Sequence, residues 1–88
     1  MKEMKRLIDI MERLRAPGGC PWDAEQDHRS MIPGLIEEAY ELAEALENGD
    51  TAAMAEELGD VLLQVVFHSI IAKEDGQFTF SDVARLLA

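Results

Sequence analysis

An all-α fold, a small antiparallel bundle of three main helices and a short fourth, is what this 88-residue chain predicts. Three observations carry that expectation. Clusters of turn-forming residues, Ala16-Pro17-Gly18-Gly19-Cys20-Pro21, Asn48-Gly49-Asp50 and Asp75-Gly76, cut the chain into helix-length pieces. Within the pieces, apolar residues recur at three- and four-residue spacing, the period of an amphipathic helix. No stretch alternates with a period of two for long enough to make a strand.

The first helix is expected over about Lys2 to Arg15. Met4, Leu7, Ile8, Met11 and Leu14 make one apolar stripe, and Pro17 with the two glycines after it stops the helix. Cys20-Pro21-Trp22-Asp23 reads as a loop, with Asp23 capping a short turn and Gln26 three residues on, as in a capping box. The second helix is expected over about Ser30 to Glu47, with Ser30 as N-cap and Pro33 in the first turn, where proline is tolerated. A start nearer Asp23 with a kink at Pro33-Gly34 is the alternative. Leu35, Ile36, Ala39, Leu42, Ala43 and Leu46 form its apolar face, and Gly49 ends it. The third helix is expected over Thr51 to Glu74, from an Asp50 N-cap to a stop at Gly76. Ser81 is the expected cap of a fourth helix over Asp82 to Ala88.

Length and charge exclude several functions. A chain this short is one domain, and it buries only about 60–65% of the surface its unfolded form exposes, so metals or partner chains are natural stabilisers. Eighteen Asp and Glu against eight Lys and Arg give a net charge of −10. That argues against a nucleic-acid polymer or an anionic membrane as partner, since both need a basic face. The single cysteine, Cys20, rules out an intrachain disulfide and a CxxC zinc site. Together with the lack of a signal peptide, it makes a cytoplasmic protein the expectation. The longest apolar stretch, Val61 to Ala72, holds Gln64 and His68 and is far short of the ~20 residues of a membrane span.

The acids are the informative residues. Between Arg29 and Lys73 there is no Lys or Arg, yet nine carboxylates occur: Glu37, Glu38, Glu41, Glu44, Glu47, Asp50, Glu56, Glu57 and Asp60. Glu38 and Glu41 lie one turn apart on the second helix, at the edge of its apolar face; Glu57 and Asp60 are i, i+3 neighbours on the third. Such pairs repel by a few tenths of a kcal/mol in solvent, and no cation lies within a helical turn to relieve them. From Val61 to Ala72 the third helix is apolar nearly all round, which predicts burial on several sides. Glu57, Asp60, Gln64 and His68 nevertheless share one side of it. Unpaired buried charge costs several kcal/mol, and the simplest counter-charge is a metal ion. Four carboxylates from two adjacent antiparallel helices make a hard oxygen site suited to Mg²⁺ or Mn²⁺. Surface acids flanking a bundle are the plainer reading of the same pairs, and the polar stripe weighs against it.

Glu37-Glu38-Ala39-Tyr40-Glu41, then fifteen residues, then Glu57-Leu58-Gly59-Asp60 spells EExxE followed by ExxD. With Ile10-Met11-Glu12-Arg13-Leu14-Arg15, the loop Gly19-Cys20-Pro21-Trp22-Asp23 with Glu25-Gln26, and the run Glu56 to His68, this resembles the MazG family of all-α nucleoside triphosphate pyrophosphohydrolases, relatives of the dimeric dUTPases and dCTPases. The resemblance covers essentially the whole chain. It implies hydrolysis of a nucleoside triphosphate to the monophosphate and pyrophosphate. It also implies that Glu38, Glu41, Glu57 and Asp60 hold Mg²⁺, with Glu37 and Glu56 orienting water as catalytic residues. The CPWD loop looks like a nucleotide-contacting segment, with Trp22 and Asp23 at the substrate; Trp22 equally suits a plug at the bundle end. Arg29 and Lys73 bracket the acids as candidate phosphate contacts, though either also reads as an ordinary surface cation. His68 suits a core histidine better than a ligand, and Cys20 has no His or Asp partner that would make it a nucleophile. The resemblance also implies a fourth helix continued into a basic segment that helps bind the triphosphate, whereas this sequence stops at Leu86-Leu87-Ala88, as a natural short form, a truncated one or a domain detached from a longer protein.

The apolar third helix in so short a chain predicts a homodimer or homotetramer. The alternative function is a helical oligomerisation or regulatory module that keeps the fold and the metal site with little turnover. A di-iron carboxylate bundle is disfavoured, since His68 is eleven residues beyond Glu57 and His28 precedes the acids. An EF-hand is excluded for want of its loop.

Overall fold

A computed structural model describes residues 1–88 as five helices and no strand. They are α1 (Lys2–Arg15), α2 (Pro21–Glu25), α3 (Ile32–Asn48), α4 (Thr51–Glu74) and α5 (Phe80–Leu87). The apolar stripe of α1 lies on the C-terminal half of α4. Met11 is buried there with Val66, Phe67, Ile70 and Ile71, and Met4, Leu7, Ile8, Leu14, Met31 and Phe80 pack around them. This is the core, and its two sides come from opposite ends of the chain.

The segment expected as the CPWD loop is a helix. Pro21 stands in its first turn, where a fixed φ is pre-organised and the missing N–H costs nothing. Asp23 is therefore inside a helix rather than capping one, and Gln26 Nε2 donates to the Trp22 carbonyl (2.9 Å). Just before it, a Cβ on residue 19 would fall against the carbonyl oxygens of Arg13 and Leu14, so Gly19 lets the chain double back closely. Arg15 ties this corner together. Its side chain is only 8% exposed. Nε and Nη2 donate to the two carboxylate oxygens of Glu74 (both 2.8 Å), and Nη1 donates to the carbonyls of Asp23 (2.7 Å) and Gln26 (2.8 Å). The guanidinium lies over the Phe67 ring, 5.3 Å from its centroid.

Two expected caps move. Ser30 does not cap the second helix, because its polar groups are already committed. Its N–H donates to Asp27 Oδ1 (2.7 Å) and its Oγ accepts from the Asp27 N–H (2.9 Å), closing a turn before α3. Met31 takes the N-cap position. Thr79, not Ser81, caps α5, since Asp82 three residues on completes a reciprocal capping box with it. Asp50 caps α4 as expected, accepting from the Ala53 N–H (3.1 Å). Gly49 (φ 67°) and Gly76 (φ 70°) take the left-handed conformation that ends α3 and α4.

The face that α3 turns to α4 is not its apolar one. Ala45 is buried and Gly34, Glu38 and Leu42 are half-buried, whereas Ile36 is 52% and Leu46 54% exposed, and Leu35, Ala39 and Ala43 are also exposed. Amphipathic spacing defines a face without defining what covers it, and here the small Gly34 and Ala45 allow α3 to lie against the polar stripe of α4 instead. The expectation that this helix is buried on several sides from Val61 to Ala72 holds only from Val66 to Ala72. Leu58, 53% exposed, and Leu62, Leu63 and Val65 also reach solvent in the single chain. The α3–α4 pair is thus a hairpin with a polar seam and aliphatic residues outside.

Candidate metal centre

The seam has a register. α3 and α4 run antiparallel through the tight turn at Gly49-Asp50, so a step forward on one matches a step back on the other. Glu41 lies across from Glu57, Glu38 from Asp60, and Gly34 from Gln64, whose Nε2 sits 3.4 Å from where a Gly34 Cβ would be. Each helix places its two acids one turn apart on the seam side. One oxygen from each of Glu38, Glu41, Glu57 and Asp60 comes within 4.8 Å of the others. Glu41 is exposed and the other three are half-buried.

No basic side chain enters this cluster. The ion pairs of the chain are Arg15–Glu74, Lys73–Glu12 and Arg85–Asp82, all elsewhere. Desolvation first, then the neighbouring Glu41, pushes the Glu57 carboxyl up to about 7. The same two causes, in that order, raise Glu38. Glu38 Oε2 and Glu57 Oε2 are buried without a hydrogen-bond partner. Like charges this close, with orphaned acceptors between them, do not all stay ionised without a cation. A divalent ion answers both deficits: it supplies positive charge, and carboxylate oxygens are the hard donors that Mg²⁺ and Mn²⁺ take.

The other sequence candidates are distributed around this centre. Glu37 and Glu56 are exposed neighbours of the cluster acids, and Glu37 lines an outer groove of α3 with Tyr40, Glu44 and Glu47. Trp22, 60% exposed, and the half-buried Asp23 stand on α2. Arg29 is exposed in the turn before α3 and makes no ion pair. Lys73 is not brought to the cluster. It stands thirteen residues beyond Asp60, roughly 20 Å along the helix, with its Nζ 3.4 Å from Glu12 Oε2. Cys20 is half-buried, with a free thiol.

One pairing escaped the sequence. His28 and His68 meet through their Nδ1 atoms at 2.7 Å, with rings stacked 5.0 Å apart. Burial, then the facing His28, lowers the pKa of His68. The available signal was the register itself: continued past Gly34 and Gln64, it puts the turn before α3 against His68.

Residues 26–88 match the family described as the MazG nucleotide pyrophosphohydrolase domain. A nucleoside triphosphate pyrophosphohydrolase/pyrophosphatase MazG of Thermotoga maritima is 58% identical over 83 residues, which are 94% of this chain and 32% of the relative. The nucleoside triphosphate pyrophosphohydrolase of Escherichia coli is 43% identical over 89 residues, 100% of this chain and 34% of the relative. That of Mycobacterium tuberculosis is 47% identical over 88 residues, 94% of this chain and 26% of the relative. The chain spans about a third or less of the length of these curated relatives.

Proposed function

The chain belongs to the MazG nucleotide pyrophosphohydrolase family, and from that membership we propose that it hydrolyses a nucleoside triphosphate to the monophosphate and pyrophosphate with the help of Mg²⁺. The single observation that carries the reading is the cluster of four carboxylates with no basic side chain paired to it and with two buried oxygens lacking a hydrogen-bond partner. Glu38, Glu41, Glu57 and Asp60 would hold the ion, Mg²⁺ or Mn²⁺. When bound, it would neutralise phosphate charge and lower the pKa of an attacking water. A triphosphate cannot otherwise approach so acidic a surface. Glu37 and Glu56, exposed beside the ligands, would orient water. Trp22 and Asp23 on α2, and the unpaired Arg29, are the proposed substrate contacts. Lys73, held by Glu12, is the least suited of that set.

The exposed aliphatic residues Ile36, Leu46, Leu58, Leu62 and Val65 support assembly into a homodimer or homotetramer. No helix of the chain is long and apolar enough to cross a membrane. The proposed place of work is the cytoplasm, in control of the nucleotide pool, with 1–88 acting as a single domain.

The test is a panel of NTPs and dNTPs with Mg²⁺, reading pyrophosphate separately from orthophosphate. Pyrophosphate with the matching monophosphate is expected, and Glu41→Gln should abolish it. No pyrophosphate from a sample that binds Mg²⁺ and assembles would overturn the enzymatic reading in favour of an oligomerisation or regulatory module that keeps the metal site.

A further inference from the structure

Gln64 is the most deeply buried polar side chain of the seam, 7% exposed, and its Oε1 has no hydrogen-bond partner. A buried amide oxygen without a donor costs about 1–3 kcal/mol in general, so its presence among the aliphatic residues Val61 to Val66 asks for a reason. Its position supplies one. Gln64 follows Asp60 by one helical turn on the same face, and i, i+4 side chains are neighbours. Across the seam stands Gly34, which contributes no side chain, and the Gln64 amide nitrogen lies 3.4 Å from where its Cβ would be. The nitrogen thus packs against the Gly34 backbone, and the oxygen is the end shut off from solvent without a partner.

The orphaned atoms of the seam form a pattern. Glu38 Oε2, Glu57 Oε2 and Gln64 Oε1 are all buried acceptors lacking a donor, and their residues stand on successive tiers of the register. His68 Nε2, the fourth orphan, lies one further turn along and pairs with none of them. Gln64 thus stands on the stripe one turn from Asp60, between the carboxylates and the histidine pair.

We infer that Gln64 is a positioning residue of the cation site: its amide oxygen accepts a hydrogen bond from the hydration shell of the divalent ion held by Glu38, Glu41, Glu57 and Asp60. This rests on the metal reading of the cluster. Mg²⁺ in particular keeps several of its waters when bound by carboxylates, and a neutral oxygen at the rim of the site orients one of them without adding charge to an already repulsive set.

The inference predicts opposite effects on the free and the loaded protein. Gln64→Met keeps the length of the side chain and removes the orphaned oxygen, so the metal-free melting temperature should hold or rise. Affinity for Mn²⁺ alone, by electron paramagnetic resonance or calorimetry, should fall about tenfold or more, the usual scale for groups that orient a metal's ligands, and the Mg²⁺-induced rise in melting temperature should shrink with it. Gln64→Asn keeps the amide but withdraws it by one methylene, and should lose Mn²⁺ affinity to a similar degree. It provides the same readout if the Met variant does not fold. A merely structural glutamine would instead lower the metal-free melting temperature and leave the Mn²⁺ affinity alone. Unchanged Mn²⁺ affinity in the folded variants overturns the inference. Asp60→Asn separates this from failure of the parent reading: if that variant also binds Mn²⁺ like the wild type, the cluster is not a metal site at all.

Discussion

Arg15 concentrates more polar contacts than any other side chain of the chain, and its removal gives a prediction that needs no assumption about function. In Arg15→Met the aliphatic stem stays and the guanidinium goes. The ion pair with Glu74 contributes little, about 0.5 kcal/mol, because the Glu74 side chain is 45% exposed and screened by solvent. The two bonds from Nη1 to the carbonyls of Asp23 and Gln26 are charge-assisted and part-buried, worth about 1.5 kcal/mol each at the low end of the range for charged donors. Stacking over Phe67 adds about 0.5 kcal/mol. Water can reach the freed carbonyls, so the sum is an upper value and the expected loss is about 2–3 kcal/mol. For a domain of this size that is a fall of roughly 10–20 °C in melting temperature. The assay is a thermal or urea melt of Arg15→Met beside Glu74→Gln, which should cost under about 1 kcal/mol. Equal damage from the two variants, or a loss below about 1 kcal/mol in Arg15→Met, would refute the assignment of the energy to the α2 carbonyls.

The carboxyl of Glu57, held at about 7 by burial and then by Glu41, must give up its proton to bind a cation, so apparent Mg²⁺ affinity should rise about tenfold between pH 6 and pH 8; a flat titration would sink the linkage. The same raised value means that the metal-free fold binds this proton more tightly than the unfolded chain does. Its contribution to metal-free stability is therefore present below about 4.5, the unfolded value, and lost as pH rises through about 7; melts at pH 5 and 8 with a chelator, compared with Glu57→Gln, check the sign. If the proposed assembly uses the exposed aliphatic residues of α4, Leu62→Glu should shift sedimentation towards monomer relative to the wild type, with helix content kept; an unshifted profile would refute that use. Asp50→Ala removes the α4 cap and should cost about 1 kcal/mol in a denaturant melt.

Much of the fold follows from periodicity and punctuation. The α1 stripe, the Asp50 cap and the glycines at 49 and 76 each act locally, and local signals survive in a sequence. The convergence of the four carboxylates was legible for the same reason, since two i, i+3 pairs on neighbouring antiparallel helices have few other places to go. What escaped was decided by competition. Ser30 and Ser81 have the chemistry of caps, but Asp27 engages the first and the Thr79–Asp82 pair pre-empts the second. α2 has five residues, too few to show a period. The outward turn of Ile36 and Leu46 depends on what α4 offers across the seam, which a pattern on α3 does not contain. The remoteness of Lys73 is a matter of distance along one rigid helix, masked by its nearness in the chain to the end of the acid-rich stretch.

The polar seam also separates locality from stability in this chain. The α3–α4 hairpin is closed by the shortest connection and has the least entropy to lose, yet it buries few apolar groups between its own helices. The apolar core lies between α1 and α4, whose union closes a loop of most of the chain. The element quickest to form is thus the one least able to persist alone. Amide exchange should reflect this: slow in α1 and in the Val66–Ala72 half of α4, faster in α3. Occupation of the carboxylate cluster by a cation should slow α3 towards the rest.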